Sequence, residues 1–261
     1  ELGPTLEVVI SRTRFMSSQI GKTDDSGIAV RIVGLSASLA NARDVGDWMG
    51  VPTKSLFNFS PKARALPLEI YFQSFEESNY SSRLLAMARP VYNAVVRHWD
   101  GKNVLVFVPS KRQSQLTAID IMTYAESHSD MFVKSQDAKA EIEKAVKTIR
   151  EPALQQVLVT GIGFVSNGML DTYWKTVVDL YGRGHLRVLV CPADLCWKLS
   201  CVAHLVVIMG TEAFDGREGR HVDYPIVDLF HMMGRHSPSS GGKCVVLCHS
   251  PKKEYLKKLL Y

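Results

Sequence analysis

Ser36 and Ser38 stand in the stretch VRIVGLSASLANARD, where an apolar, β-branched run at 31–35 gives way to small polar residues. Such a run predicts a strand covered on both faces in a parallel sheet. The two serines then fall at its C-terminal edge, where open α/β sheets bind ligands and a hydroxyl can donate or accept. Asn41 or Ser38 can cap the helix that follows, which carries Ala42, Val45, Trp48 and Met49. Two glycine patterns lack the parts that their chemistry needs. Gly21-Lys22-Thr23 has the end of a phosphate-binding loop, but Met16 occupies the position of its first glycine, so a plain loop is expected. Gly161-Ile162-Gly163 begins a dinucleotide fingerprint that fails at Ser166. Cys191, Cys196, Cys201, Cys244 and Cys248 contain no CxxC pair, and the histidines no HExxH, so buried thiols and no metal site are expected.

These residues need elements to hold them. Alternation at Leu66, Leu68, Ile70 and Phe72 predicts a strand over 66–75, preceded by a linker at 58–67. Helical spacing runs from Leu84 to Trp99, where Pro90 is expected to start, kink or divide the helix. Strands are predicted at 103–108, 161–165, 186–191, 203–209 and 243–248. Helices are predicted at 110–128, 137–150, 171–181 and 225–233. This alternation describes an α/β protein with a parallel sheet. Asp-Gly and Glu-Gly signals within 212–224 predict an exposed hairpin, and no internal repeat is visible.

The chain has 261 residues, enough for one large domain or two smaller ones, and its 46% apolar and 22% charged content is that of a globular protein. A formal charge of +5 permits contact with nucleic acid without demonstrating it. No apolar run of membrane-spanning length and no leader segment is present, so no membrane partner is expected. Leu6, Val9, Ile10 and Thr13 lie on one helical face almost at the start, and such a helix needs a packing partner. That suggests a fragment.

In chain order, the SAS turn is followed by VLVFVPSKR, GIGFVSNGML, VLVCPADLCWKLSCVAHLVVIMG, VDYPIVDLFHMMGR and GKCVVLCHSPKKEYLKKLLY. This series resembles the Ski-like, DExH-type superfamily 2 RNA helicases, and among them the C-terminal cassettes of the spliceosomal U5 snRNP type. The resemblance implies a RecA-like, P-loop NTPase-type fold. Residues 1–57 would end a first RecA-like domain, 58–76 would be a linker and incoming strand, and 77–261 a second RecA-like helicase domain. It assigns Ser36, Ala37 and Ser38 to the motif that couples nucleotide state to strand handling. Ser110, Lys111 and Arg112 fall on a nucleic-acid-contacting motif, and Gly168 on the next, whose usual histidines are absent. Gly234, Arg235 and Asp194 fall on nucleotide-binding motifs.

The same resemblance implies decay. Pro192 replaces a phosphate-contacting threonine, and Trp197 persists where a buried core tryptophan explains it as well as a mechanical role. His231 stands for a glutamine, and Pro238 for the distal arginine that meets the γ-phosphate; Lys198 or Arg235 is nearest by sequence to replace it. Proline cannot neutralise transition-state charge, an effect worth roughly 10³ to 10⁵ in rate. The expected function is therefore a degenerate, regulatory cassette of a nuclear pre-mRNA-splicing, ATP-dependent helicase. The alternative is an active RNA or DNA helicase cassette with unusual motifs. ATP and Mg are implied only for a complete cassette and none for this segment alone, which is expected to be inactive. Implied partners are spliceosomal regulatory proteins, the N-terminal cassette of the same polypeptide, and RNA.

Overall fold

The computed structural model describes residues 3–23, 30–36, 39, 41–59, 63, 67–127, 132, 133, 135–236 and 241–260. Two compact units are present, Glu1–Arg64 and Ala65–Tyr261.

The first unit holds α1 (Gly3–Thr23), α2 (Ala42–Met49) and a 3-10 turn, Thr53–Ser55. Gly50 closes α2 in the left-handed region, at φ 74°, and the amides of Gly50 and Val51 return to the carbonyls of Asp47 and Gly46. That is the glycine-dependent stop of a helix. Asn41 precedes α2 but makes no side-chain cap. The Arg14 guanidinium on α1 donates to the carbonyl of Trp48 on α2.

Two expectations fail here. Residues 31–35 are not a buried strand, since they carry no strand pairing and Val33 and Leu35 are 67% and 95% exposed. A doubly covered strand is held by ladders on both sides, and this unit has no strand among its described residues. Residues 21–23 are not a loop but the end of α1. No breaker intervenes before Gly21, and the helical ladder runs through it.

The second unit is a six-stranded sheet, all parallel, in the order β1-β8-β5-β2-β4-β3. The strands are β1 (Leu68–Phe75), β2 (Val104–Val108), β3 (Ile162–Phe164), β4 (Val188–Pro192), β5 (Leu205–Met209) and β8 (Gly242–His249). A two-stranded antiparallel hairpin, β6 (Glu212–Asp215) and β7 (Arg220–Asp223), stands apart from it where turn signals predicted one. The runs VLVFV, VLVCP and LVVIM are buried at every residue, as interior strands of a parallel sheet must be. Edge strand β1 instead alternates, with Ile70 and Phe72 packed on the core and Glu69 and Tyr71 exposed. The architecture is that of a RecA-like fold.

Helices α3 (Tyr80–His98), α4 (Lys111–Ser127), α5 (Gln136–Thr148), α6 (Pro152–Val159), α7 (Asp171–Gly182), α8 (Ile226–Met233) and α9 (Ser250–Leu260) complete the unit. Asn79 caps α3 by accepting from the Ser82 amide at 3.0 Å, and Pro90 lies inside that helix without dividing it. Helix α4 packs across β2, β4 and β3, α8 packs on β5, and α9 on β1 and β8. All five cysteines are buried. Burial raises the thiols of Cys196, Cys201 and Cys248 to about 11 and pushes that of Cys191 well above its ordinary value, so these four stay protonated.

Charge ties the hairpin to helices α3 and α9. Arg83 of α3 donates to the Glu212 carboxylate at 2.9 Å, and to the carbonyls of Glu77 and Ser78. Lys252 of α9 reaches the other Glu212 oxygen at 2.5 Å and also pairs with Asp223. Burial pushes the Glu212 carboxyl up, but Lys252 and Arg83 outweigh it and hold the group below its ordinary value. Its stabilising charge is therefore present above about pH 4.5 and is lost as pH falls through the lower folded value.

Candidate functional site

Strands β2, β4 and β3 are neighbours and parallel, so the segments leaving their C-terminal ends share one edge of the sheet. Ser110 leaves β2, the segment 165–168 leaves β3, and a 3-10 turn at Ala193–Leu195 leaves β4. That edge gathers Ser110, Lys111, Arg112, Asn167, Gly168 and Asp194, all exposed.

Each is placed by local geometry. Ser110 Oγ accepts from the Gln113 amide at 3.2 Å, which starts α4 and puts Lys111 on its first turn. An anion at this end meets the positive end of a 17-residue helix as well as the ammonium group. Gly168 sits in the left-handed region at φ 77°, and a Cβ there would lie 3.4 Å from Lys111 Nζ. Lysine and glycine, 57 positions apart in sequence and both assigned to nucleic-acid motifs, are thereby adjacent. Asn167 Nδ2 donates to Asp194 Oδ2 at 2.6 Å and ties the β3 and β4 turns together.

The residues assigned to nucleotide binding do not assemble in the same way. Asp194 is engaged with Asn167. Gly234 ends α8, its amide returning to the Phe230 carbonyl at 2.9 Å. Arg235 folds back onto the crossover from β4 to β5, where Nη2 lies 2.6 Å from the Cys196 carbonyl and 2.6 Å from His231 Nε2. Its own carbonyl accepts from Ala203, ahead of β5 and away from the strand end at Gly210. Ser36 is exposed in the first unit, and Ala37, Ser38 and Pro238 lie outside the described residues.

Trp197 is not a core residue. It is 57% exposed, with its ring stacked on His231 at 3.9 Å and its indole N–H donating to Asp228 at 2.7 Å. The neighbouring apolar positions fill the core without it, so the polar N–H is left to find a surface carboxylate. Lys198 lies over the Trp174 ring at 5.2 Å. Sequence reasoning names Trp197 and His231 only as motif positions. Their contact joins residues 34 apart, and only the i,i+4 spacing of His231, in the last turn of α8, and Arg235, just beyond its end, signals any of it.

Among the described residues no group of histidine, cysteine and carboxylate side chains suits a metal ion. No described helix is long and apolar enough to cross a membrane.

No family model matches the chain. Its relatives are informative. It is 44% identical over 264 residues to the DExH-box ATP-dependent RNA helicase DExH12 of Arabidopsis thaliana, covering 99% of this chain and 12% of that protein. It is 42% identical over 262 residues to activating signal cointegrator 1 complex subunit 3 of Danio rerio, covering 99% of this chain and 17% of the relative. With the U5 small nuclear ribonucleoprotein 200 kDa helicase of Homo sapiens it shares 39% identity over 264 residues, covering 100% of this chain and 12% of that protein. The chain thus spans between about an eighth and a sixth of the length of these proteins. Along nearly its whole length, and with a RecA-like sheet in its larger unit, it is a relative of a segment of the DExH-box RNA helicases.

Proposed function

We propose that the chain is part of an ATP-dependent RNA helicase of the splicing machinery, from a degenerate C-terminal cassette that serves as a regulatory and protein-interaction scaffold. The observation that carries this reading is the state of Arg235. Its Nη2 is committed to the Cys196 carbonyl and the His231 ring, and its Nε is buried. Together with proline at 238, where active relatives place arginine, the residues present do not fit the γ-phosphate of ATP. No catalytic step is assigned to them.

The exposed edge formed by Ser110, Lys111, Arg112 and Gly168 supports retained contact with an RNA backbone. Phosphate contacts of this kind position the strand without reading its sequence. In the whole polypeptide, Lys111→Ala is expected to weaken single-stranded RNA binding equally across sequences. It should also reduce the slope of log affinity against log salt by about 0.7, one contact's worth. Filter binding over a salt series measures this, and an unchanged slope removes RNA from this edge.

Regulatory splicing proteins and the N-terminal cassette of the same polypeptide are the other proposed partners, in the nucleus. ATP turnover by the complete cassette with RNA decides between this reading and an active helicase. Robust turnover, lost on replacing the cassette's own phosphate-loop lysine, would establish the active RNA or DNA helicase instead.

A further inference from the structure

The contact between Arg235 and His231 has only one workable protonation state. A guanidinium has donors and no acceptor, so Nη2 at 2.6 Å from Nε2 must donate to a bare imidazole nitrogen. The same Nη2 donates to the Cys196 carbonyl at 2.6 Å, which uses both of its hydrogens. The ring is held by more than this pair. Trp197 stacks on it at 3.9 Å with the planes 15° apart, and Asp228 fixes the indole. The groups facing the imidazole are Asp228 from α8, Arg235 from the turn just after it and, from the crossover, the Cys196 carbonyl and the Trp197 ring.

We propose that neutral His231 is a positioning residue for Arg235: its Nε2 holds the guanidinium against the β4–β5 crossover, away from phosphate, and protonation of the ring sets the guanidinium free. A second proton on the imidazole would place N–H against N–H at a distance where neither can accept. The stacked ring cannot leave easily, whereas the arginine side chain is long and flexible, so the guanidinium is the group that moves. Burial and then Arg235 push the His231 imidazole below its ordinary value of 6.5, against the pull of the Cys196 carbonyl and Asp228, so the locked state prevails near neutrality. The inference rests on reading this arginine as withdrawn from catalysis, and extends it by naming the residue that withdraws it and the condition that reverses it.

Ring-nitrogen NMR of the chain across pH 5–8, with indole fluorescence of Trp197 beside it, reads the pairing without any ligand. His231 is expected to titrate below 6.5 as a neutral Nδ1–H tautomer, and Arg235→Gln should raise its midpoint towards the ordinary value. Inorganic pyrophosphate, titrated at pH 7.5 and 5.5, reads the released arginine. Binding by the unaltered chain should tighten about tenfold more than binding by Arg235→Gln, the worth of one charge-assisted contact. In His231→Gln, whose amide oxygen accepts at any pH, the Arg235-dependent gain should vanish. A midpoint at the ordinary value that ignores Arg235→Gln overturns the proposal. So does an equal pyrophosphate gain in all three proteins. Robust ATP turnover by the complete cassette would instead sink the degenerate reading while leaving the NMR result standing.

Discussion

Phe107→Ala is expected to destabilise the protein by about 3–5 kcal/mol, the usual cost of emptying a large core site. Phe107 is 1% exposed near the C-terminal end of β2, paired with Cys191 on one side and Ile208 on the other. Neither neighbouring strand can collapse into the space without breaking its own ladder, so little of the cavity will close. A globular domain holds only about 5–15 kcal/mol in all, so the variant should unfold at markedly lower denaturant concentration. Circular dichroism in urea measures the midpoint, and a shift worth less than about 1 kcal/mol would mean that β2 is not the centre of the sheet.

Arg83→Met is the second large effect. Methionine retains much of the packing but leaves the largely buried Glu212 without its α3 partner and removes the donor from the carbonyls of Glu77 and Ser78. Breaking one side of a buried ion pair costs about 3–5 kcal/mol, and the Lys252 contact that remains on Glu212 places this case at the lower end. Lys252 itself is 29% exposed, against 7% for Arg83, so Lys252→Met should cost visibly less. Thermal melts of the two variants side by side test the ranking. Equal losses would mean that burial of Arg83 does not set the energy of the network.

Much of the larger unit is legible in its sequence because an interior parallel strand leaves a direct trace. VLVFV, VLVCP and LVVIM are unbroken apolar runs, and each is a strand within two residues of its expected bounds. Residues 31–35, RIVGL, are also rich in branched apolar side chains yet make no strand, since pairing depends on neighbours that composition cannot supply. Helices α6 and α9 are hidden for opposite reasons. PALQQVLV is so apolar that no stripe stands out, with Pro152 at its start as its one sign. SPKKEYLKKLL is so charged that buried Leu256 makes no stripe either.

The site divides along the same line. The sheet edge with Ser110, Lys111, Gly168 and Asp194 follows from strand ends, which sequence locates. The fold-back of Arg235 depends on side-chain directions in α8 and on a crossover with no regular structure. Arg83 and Glu212 are 129 positions apart and carry no mutual signal at all.

The strand order has a consequence for how the larger unit comes together in time. β8 lies between β1 and β5, so the earliest strand to be made, β1, has no partner in the sheet until the last one arrives. β2, β4, β3 and β5 can pair among themselves while the ribosome is still at work, but one side of β5 and the whole of β1 wait for residues 242–249. Closing that pairing spans nearly the whole unit, from Leu68 to Gly242, and contacts so distant in sequence form slowly. Until residues 242–249 are made, β5 and β1 therefore each hold an unpaired edge towards the gap between them, and β8 is the keystone that closes both at once.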